Sequence, residues 1–440
     1  MKVMIDAYNL ALTKGTGVAT YARNLSRSLK DMGHEVSVLY DVPMAKTQNE
    51  FLKEVLFFDH PDARMLAGAS FDHFFTRLKS VVATATGHVS PDYIPVKGQV
   101  LSQHIESRLP SYDHIYNAPH LYYASLVYFR VTGRFITIKL DDPPDIAHWT
   151  YPLPLRIAGA RNIYTIHDLV PLKLPFTTLD DKQSYLGLCQ KIVATADAVV
   201  TVSENSKRDI CTLLGAQSSL VHNTYQSVSF PEKFTSSSRH ELTNLLNNMY
   251  GLKRGEYFLY LGAIEPKKNV GRLLEAFLGS DSTFPLVMVG SDAWLAENEL
   301  SSWDQELTSH FSIQGEKILK SRRVIRLDYV AFANVISLIR GARALLFPSL
   351  YEGFGLPVLE AMTLGTPVLT SDNGSLGEIS HGAALQVDPY DTQAIRHGIN
   401  NLLIGSDLAS MSEKGLTRAK NFSPTVVNQR LNAVYQSLAH

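Results

Sequence analysis

The stretch that decides the fold reads Phe347-Pro348-Ser349-Leu350-Tyr351-Glu352-Gly353-Phe354-Gly355-Leu356-Pro357-Val358-Leu359-Glu360-Ala361-Met362. An apolar run at Ala344–Phe347 predicts a strand before the glycine loop, and the pattern over Pro357–Leu364 predicts a helix after it. Pro357 suits a first helical turn, where a backbone N–H lacks a partner in any case, and Gly365 with Pro367 ends the helix. Strand, glycine loop and helix in this order are typical of parallel α/β sheets, whose ligands bind beyond the carboxyl ends of the strands.

The same alternation of short apolar runs and helical patterns extends over most of the 440 residues. Further strands are predicted over Lys2–Tyr8, Glu35–Tyr40, Asn162–Ile166, Ala198–Val202, Tyr257–Gly262, Phe284–Gly290, Val324–Leu327 and Val368–Thr370. Further helices are predicted over Val18–Leu29, Leu179–Ala194, Glu204–Leu214, Val270–Leu278 and Val335–Ala342.

The polar stretch Phe234–Arg239 interrupts this rhythm near the midpoint and predicts a linker between two domains. We therefore expect an α/β fold in which two Rossmann-like, doubly wound domains face a central cleft. The N-terminal domain is predicted over residues 1–235, with a variable acceptor region at 45–140, and the C-terminal domain over 236–420. A helix at 421–440 is a candidate for packing back on the N-terminal domain.

Composition sets limits on partners and location. A formal net charge of -1 gives no reason to expect nucleic acid as a partner. Two cysteines, Cys189 and Cys211, are too few for a disulfide framework and favour a cytoplasmic location. The first residues read as a strand and not as a signal peptide, and no uncharged apolar run reaches the ~18 residues of a membrane span. The nearest approach, Ile115–Leu140, is interpreted as one or two buried elements, with a surface patch for a membrane or a lipid-linked acceptor as the alternative.

The glycine loop itself predicts an anion site. Gly353 and Gly355 let the backbone approach a bulky ligand, and the helix that follows offers free N–H groups and a positive end. Glu360, predicted in the first turn of that helix, can accept hydrogen bonds from two vicinal hydroxyls, as a ribose carries, while Glu352 would lie nearer a sugar and its phosphates. The alternative, that both acids merely favour a helix N-terminus, explains Glu360 but neither Glu352 nor the glycines.

Three other segments place polar side chains directly after predicted strands. Lys267 and Lys268 could neutralise a diphosphate, or they could form an ordinary basic loop. His167, followed by Asp168, could contact a sugar hydroxyl, or it could be structural. Ser203 is placed as the N-cap of a helix.

Two missing motifs narrow the chemistry. The sequence has no Asp-x-Asp, so we expect lysine and helix-end N–H groups, and not a divalent ion, to bind a diphosphate. It also has no G-x-x-x-x-G-K-[ST] loop, which argues against a kinase or ATPase. The loop Gly15-Thr16-Gly17 lacks the third glycine of a dinucleotide fingerprint and is a weak signal by itself.

These segments closely resemble the family 4 (group 1) retaining glycosyltransferases of GT-B fold. The most specific part is Glu352-x7-Glu360 embedded in Glu-Gly-Phe-Gly-Leu-Pro. The resemblance implies a hexosyltransferase that takes a sugar from a nucleotide-sugar donor and retains its anomeric configuration, without a metal or other cofactor. No nucleophile is assigned, because a front-face attack in which the leaving phosphate takes the acceptor proton needs none.

The resemblance also implies roles for residues of this chain. His167, Glu352 and Lys268 would be the catalytic residues: Lys268 would stabilise the leaving diphosphate, Glu352 would contact the donor sugar and phosphate, and His167 would contact the sugar near its 6-hydroxyl. Glu360 would hold the ribose. The other implied donor contacts are Gly17, Lys267, the backbone N–H groups of Gly353, Phe354, Gly355 and Leu356, and the backbone around Tyr329 and Val330.

One departure concerns charge and donor. Many family members carry an arginine after the glycine that ends the strand, whereas Ala263 follows Gly262 here. Either Lys267 compensates or the site has one cation fewer. The variant Gly-x-x-Glu-Pro-x-Lys-Asn resembles a branch that includes many mannosyltransferases of polysaccharide and O-antigen assembly, so GDP-mannose is the expected donor, with UDP-glucose and related donors as the alternative.

The expected acceptor is a saccharide or a lipid-linked saccharide, which leaves peripheral contact with the inner face of the membrane open. Two other classes stay as alternatives: a GT-B sugar-nucleotide epimerase, and a non-catalytic protein that binds a sugar nucleotide. The sequence gives no oligomeric state.

The metal-free expectation has a direct test. We expect sugar transfer to continue in excess EDTA, because lysine and backbone N–H groups take the place of a bound ion. Product formation with and without the chelator measures this. Activity that EDTA abolishes and Mn²⁺ restores would contradict the expectation.

Overall fold

A computed structural model describes residues 1–10, 17–59, 86–98, 100, 109–179, 181–293, 295–300, 309–314, 317–328 and 330–438. Within them, most of the predicted strands and helices are present, with ends shifted by no more than about three residues. Two of the sequence expectations, the loop residues Gly15 and Thr16 and the base contact at Tyr329, lie outside the described residues.

The first half of the chain builds an eight-stranded sheet among the described residues. In spatial order its strands are Val221–Asn223, Ala198–Thr201, Arg161–Thr165, Ile146–Trp149, Lys2–Asp6, Glu35–Tyr40, His114–Asn117 and Asp92–Ile94. The edge strand Asp92–Ile94 is antiparallel to its neighbour, and the other pairs are parallel. Val3 and Ile5 pack in one apolar core and Met4 in a second, so this sheet is buried on both faces, as alternating side chains require.

Helices and a smaller sheet surround these strands. The helices are Gly17–Asp31, Glu50–Asp59, Leu121–Thr132, Val170–Lys173, Lys182–Thr195 and Glu204–Leu214. The smaller sheet consists of His88–Val89, Ile136–Ile138 and Leu155–Ile157. The segment Ile115–Leu140 thus holds a strand, a helix and a strand. Leu121 and Tyr122 of its helix are buried, whereas Tyr123 and Val131 are exposed. No helix in the described part of the chain has both the length and the apolar character to span a bilayer.

The second half builds a six-stranded parallel sheet. In spatial order its strands are Val324–Leu327, Leu286–Val289, Phe258–Leu261, Ala344–Phe347, Val368–Ser371 and Leu385–Val387. Numbered along the chain, this is the order 3-2-1-4-5-6 of a doubly wound sheet. The order reverses between Phe258–Leu261 and Ala344–Phe347, and the loops that follow those two strands are therefore where a ligand is expected.

The remaining elements follow in the second half of the chain. The helices are Glu232–Thr235, Arg239–Tyr250, Val270–Leu278, Ala296–Glu299, Phe332–Gly341, Leu356–Thr363, Gly374–Ser380, Thr392–Ile404, Leu408–Ala419 and Pro424–Leu438. A separate antiparallel pair joins Ser309–Gln314 to Lys317–Arg322.

The linker predicted at Phe234–Arg239 lies between two helices: a short one, Glu232–Thr235, reaches into it, and a longer one begins at its last residue. Ser238 caps that longer helix: its Oγ accepts a hydrogen bond from Glu241 N at 3.2 Å, and Glu241 Oε2 accepts one from Ser238 N at 2.7 Å. This reciprocal pair is a capping box, so the Ser-rich composition marks a helix start and not only a flexible connection.

The last helix, Pro424–Leu438, contacts the first half of the chain. The hydroxyl of Tyr435 lies 2.6 Å from Nδ1 of His148, in the strand Ile146–Trp149, and both side chains are buried. The guanidinium of Arg430 lies over the ring of Tyr225, 4.7 Å from its centre. The boundaries at residues 235 and 420 stay a prediction.

The capping box provides a stability test. Ser238→Ala is expected to lower the free energy of unfolding by about 1 kcal/mol, because a helix N-terminus loses its capping oxygen. Ser236→Ala, two residues earlier, is the matched control and should change it little. Urea unfolding of both variants measures the difference, and equal effects would show that Ser238 does not cap the helix.

Candidate active site

Two loops leave the neighbouring strands at the point where the order of the second sheet reverses, and hydrogen bonds join them. Leu350 N donates to Lys267 O at 2.8 Å. Asn269 Nδ2 donates to Pro348 O at 3.0 Å and to Pro389 O at 2.7 Å. Asn269 has a φ of 61°, a left-handed conformation that Asn tolerates better than most residues. The lysine-bearing turn is therefore fixed against the loop that leads to the glycines.

Lys268 and Glu352 meet across these two loops. Lys268 Nζ lies 2.6 Å from Glu352 Oε1, and the side chains are 14% and 11% exposed, so a ligand can still reach both. The ammonium group of Lys268 also lies over the ring of Phe347, 5.1 Å from its centre. Ser375 Oγ donates to Glu352 O at 2.7 Å and holds the backbone beside the carboxylate. The fold thus brings two of the candidate residues predicted from the sequence into direct contact.

Lys267 also lies close to carboxylate groups. Its Nζ is 3.4 Å from Glu265 Oε1. Burial alone would lower the pKa of Lys267, but the carboxylates of Glu352, Glu265 and Asp168 outweigh it and raise that pKa above its ordinary value. Lys267 is therefore a second positive charge next to the Lys268 pair.

The glycine loop and the first residue of the helix that follows it carry unused backbone N–H groups. Gly355 has a φ of 105° and precedes the helix Leu356–Thr363, in which Pro357 occupies the first turn as predicted. Within the described part of the chain, the backbone N–H groups of Gly353, Phe354, Gly355 and Leu356 have no hydrogen-bond partner. Four N–H groups at the positive end of a helix are a site for an anion.

Glu360 lies in the second turn of this helix, so the prediction that it lies in the first turn is wrong. The left-handed glycine at 355 lets the helix begin at Leu356, one residue before Pro357, which makes Glu360 its fifth residue. Among the described residues, the Glu360 carboxyl group has no ion pair, and burial raises its pKa from 4.5 to about 7. A buried carboxyl group that has no ion pair and lies on the helix after the glycine loop is a candidate ligand-binding group.

His167 is held in one orientation by the backbone. Its Nε2 lies 2.9 Å from Thr150 O, and its ring meets the ring of Tyr21 edge-on with 4.8 Å between their centres. Burial lowers the pKa of His167, so the ring is neutral. Nε2 carries the proton that it donates to Thr150 O, and Nδ1 is left as an acceptor. Thr150 is fixed in turn by Asp6, whose Oδ1 accepts from Thr150 Oγ1 at 3.1 Å.

Gly353 is the point where the two halves of the chain touch at the site. A Cβ atom on Gly353 would lie 2.8 Å from Asp168 Oδ2 and 2.9 Å from His167 O. Ser203 Oγ donates to Gly353 O at 2.8 Å, and Ser206 Oγ lies 3.3 Å from the same oxygen. Ser203 also caps its helix by accepting from Ser206 N at 3.0 Å, as predicted. The glycine loop is thus anchored beside His167.

Two further contacts join the two halves of the chain near this loop, and the sequence did not reveal them. The carboxylate of Glu378 accepts from the backbone N–H of Glu204 at 3.0 Å and of Asn205 at 2.9 Å, at the positive N-terminus of a helix. The hydroxyl of Tyr351 donates to the Asp209 carboxylate and accepts from Asn205 Nδ2 at 2.9 Å. Tyr351 adjoins the Glu352 motif, which is a signal in hindsight, but nothing in the sequence pairs Glu378 with residue 204.

The structure gives fewer contacts for the remaining candidate residues. A Cβ on Gly17 would lie 3.5 Å from Leu356 Cδ1, so the start of the helix Gly17–Asp31 faces the start of the helix Leu356–Thr363. Val330 packs at the margin of the apolar core, and its contact with a base stays a prediction. The described residues contain no group of three or more His, Cys, Asp or Glu side chains arranged to hold a metal ion.

Comparison with known sequences identifies the family of this chain. Residues 250–417 match the family described as "Glycosyl transferases group 1". The chain is 31% identical over 288 residues to the O-antigen chain mannosyltransferase B of Escherichia coli, covering 64% of this chain and 71% of that relative. It is 28% identical over 256 residues to the O-antigen chain mannosyltransferase RfbU of Salmonella typhimurium, covering 58% and 63%. Against the serotype-specific mannosyltransferase WbdA of Escherichia coli, the matched 262 residues cover 31% of the relative at 26% identity.

Solved structures share the fold. Sucrose-phosphate synthase from Thermosynechococcus elongatus superimposes with a TM-score of 0.65 at 17% identity, over 100% of this chain and 99% of that one. HepE of Anabaena, in complex with UDP and glucose, gives a TM-score of 0.63 at 14% identity, over 99% and 100%. Two Rossmann-like domains of this kind define the GT-B fold, and the chain is a glycosyltransferase. It belongs to the group 1 glycosyl transferases.

Glu360 gives a prediction with a defined pH dependence. Because its pKa is raised in the folded chain, the stability it contributes is full below pH 4.5 and is lost as the pH rises through about 7. Glu360→Gln should therefore raise the free energy of unfolding at pH 8.5 by up to about 3 kcal/mol, at about 1.4 kcal/mol per pKa unit, and by much less at pH 5.

Urea unfolding between these pH values measures the gain. The control is Glu256→Gln, which replaces a half-exposed carboxylate 3.6 Å from Lys253 Nζ, and the two variants are compared over the same pH range. A Glu360→Gln difference that does not vary with pH would mean that this carboxyl group is not shifted by burial.

Proposed function

We propose that this chain is a retaining, metal-independent hexosyltransferase that takes mannose from GDP-mannose and adds it to a saccharide or a lipid-linked saccharide in polysaccharide assembly. The observation that carries the proposal is the contact between Lys268 and Glu352, 2.6 Å long, beside the unused N–H groups of the glycine loop and at the point where the strand order reverses. The relatives named as O-antigen mannosyltransferases support the choice of sugar and pathway.

The positive groups of the site suit a leaving diphosphate. Lys268, Lys267 and the N-terminus of the helix Leu356–Thr363 are fixed before any ligand binds, by the hydrogen bonds of Asn269 and the ion pair with Glu352. Negative charge grows on the diphosphate as its bond to the sugar breaks, and preorganised positive groups stabilise that charge at little reorganisation cost. Lysine and N–H groups supply the positive charge that faces the diphosphate, so no bound metal ion is required for this role.

The polar groups on either side would orient the donor. The Glu360 carboxylate would accept hydrogen bonds from the two ribose hydroxyls, and Glu352 would contact the sugar and its phosphate. His167, with Nε2 bound to Thr150 O, presents Nδ1 as an acceptor for a sugar hydroxyl. Each of these roles follows the family resemblance and is compatible with the hydrogen bonds already made.

Transfer would proceed on one face of the sugar. The acceptor hydroxyl oxygen bonds to the anomeric carbon on the side from which the diphosphate departs, and the carbon–oxygen bond to the phosphate breaks. The departing phosphate oxygen takes the proton of the acceptor hydroxyl. The products are a glycoside of retained configuration and a protonated nucleoside diphosphate, and no covalent sugar–enzyme intermediate is required.

Other donors and classes would give different results. A UDP-sugar is the alternative donor, because HepE binds UDP and glucose in the same fold, although its 14% identity shows the fold alone. An epimerase would convert the donor without an acceptor, and a silent binding protein would not hydrolyse it. A lipid-linked acceptor would bring the chain to the inner face of the membrane as a peripheral protein on the cytoplasmic side.

A thermal-shift screen tests the donor. We expect GDP-mannose to raise the melting temperature more than UDP-glucose, a dTDP-sugar or an ADP-sugar, because a ligand that binds only the folded chain stabilises it. The control is the Glu360→Gln variant, in which the shift should shrink for every nucleotide. A larger shift with a UDP-sugar would contradict the choice of GDP-mannose but not the transferase proposal.

Substitution tests the charged pair. Lys268→Ala and Glu352→Gln should each lower turnover by more than about a hundredfold, as loss of a preorganised electrostatic contact does. The assay is release of nucleoside diphosphate from the nucleotide sugar with the largest thermal shift, first with water as acceptor. Lys253→Ala, which removes an ammonium group that is 76% exposed, is the matched control and should remain active.

Near-normal turnover in Lys268→Ala or Glu352→Gln would contradict the assignment of these residues to the active site. Lys267→Ala separates two cases that the sequence left open. A loss comparable to that of Lys268→Ala means that Lys267 replaces the family arginine, whereas a small loss means that the site has one cation fewer.

A further inference from the structure

A line of buried polar groups runs from the last helix to His167. The Tyr435 hydroxyl lies 2.6 Å from His148 Nδ1, and His148 Nε2 lies 2.8 Å from Thr165 Oγ1. Thr165 Oγ1 is 3.0 Å from the hydroxyl of Tyr21. The ring of Tyr21 then meets the ring of His167 edge-on, at an interplanar angle of 89°. Each member touches the next, so the line is continuous.

The members of this line are uncharged and satisfied. Tyr435 and Thr165 are fully buried, and burial with the nearby His167 lowers the pKa of His148 to about 3. A neutral imidazole has one N–H and one acceptor nitrogen, so a proton donated at one end of the line fixes the direction of every hydrogen bond along it. Removing one hydroxyl leaves a buried polar atom without a partner, which costs more than the bond itself.

The line reaches His167 through the ring of Tyr21, which is a separate contact from the hydrogen bond of His167 to the backbone. The hydrogen bond from His167 Nε2 to Thr150 O fixes the position of that ring nitrogen. The angle of the ring plane also depends on the side chain that packs against the ring. That side chain is Tyr21, whose hydroxyl is tied through Thr165 and His148 to Tyr435. The direction of His167 Nδ1 therefore depends on a hydroxyl of the last helix.

We propose that Tyr435 is a positioning residue for His167, so that the last helix completes the site on the first half of the chain. The inference rests on the proposed role of His167 as a contact to the donor sugar. Tyr435 itself is fully buried and would act through His148, Thr165 and Tyr21. A small change in the orientation of His167 should slow the chemical step more than it weakens donor binding, because geometry at the reacting centre controls the rate steeply.

The test removes one hydroxyl and keeps the ring. Tyr435→Phe should lower kcat for release of nucleoside diphosphate by about tenfold with little change in KM for the nucleotide sugar. The matched control is Tyr257→Phe, which removes a buried hydroxyl that donates to Leu338 O at 2.6 Å in the second half of the chain. It should lose similar stability and keep its kcat.

A double variant distinguishes positioning from general damage. His167→Ala alone should lower kcat, and adding Tyr435→Phe to it should lower kcat no further, because residues that act through one another are not additive. If Tyr435→Phe does not fold, Tyr21→Phe replaces it: it keeps the ring on His167, breaks the last hydrogen bond of the line and should show the same fall in kcat and the same lack of additivity.

Each outcome decides one of the two claims. Unchanged kcat in Tyr435→Phe, or losses that multiply in the double variant, overturns the positioning role while the proposed function stands, provided that His167→Ala is slow. Unchanged kcat in His167→Ala removes His167 from the proposed function and the positioning role with it. A tenfold loss that His167→Ala masks supports both.

Discussion

The backbone of Gly353 lies so close to His167 and Asp168 that no side chain fits at this position, and the site depends on that approach. A Cβ would lie 2.9 Å from His167 O, a backbone atom that cannot turn aside. Ser203 and Ser206 hold the Gly353 carbonyl in place from the first half of the chain. Because the loop continues into the helix Leu356–Thr363, this contact helps to set the position of the anion site relative to His167.

The charged groups of the site favour binding of a ligand, and they lower the stability of the protein when no ligand is bound. Lys268 and Glu352 form an ion pair that is mostly shielded from water, and Lys267 keeps its charge among three carboxylates. Glu360 has no charged partner among the described residues, and its raised pKa expresses that cost. A nucleotide sugar supplies what is missing: phosphates for the ammonium and N–H groups, and ribose hydroxyls for Glu360. Such groups are retained at functional sites although they lower stability.

Much of the second sheet could be predicted from sequence, because its buried parallel strands are continuous apolar runs such as Ala344–Phe347, found with both ends as predicted. The sequence predicts that the helix after the glycine loop begins at Pro357, whereas it begins one residue earlier. The left-handed conformation of Gly355 permits this start, and the preference of proline for a first helical position does not indicate it. The contacts of Tyr351 with Asp209 and of Glu378 with Asn205 join residues 142 and 173 positions apart, and local patterns carry no information at that distance.

A crystal structure of the chain with the nucleoside diphosphate of its donor is the most direct measurement of where this transferase binds its substrate. We expect the diphosphate between Lys268 and the N-terminus of the helix Leu356–Thr363, with both ribose hydroxyls on the Glu360 carboxylate. Gly353 should keep its contact with His167 in that complex. A nucleotide bound elsewhere, or a diphosphate that touches neither Lys268 nor the helix, would contradict this assignment.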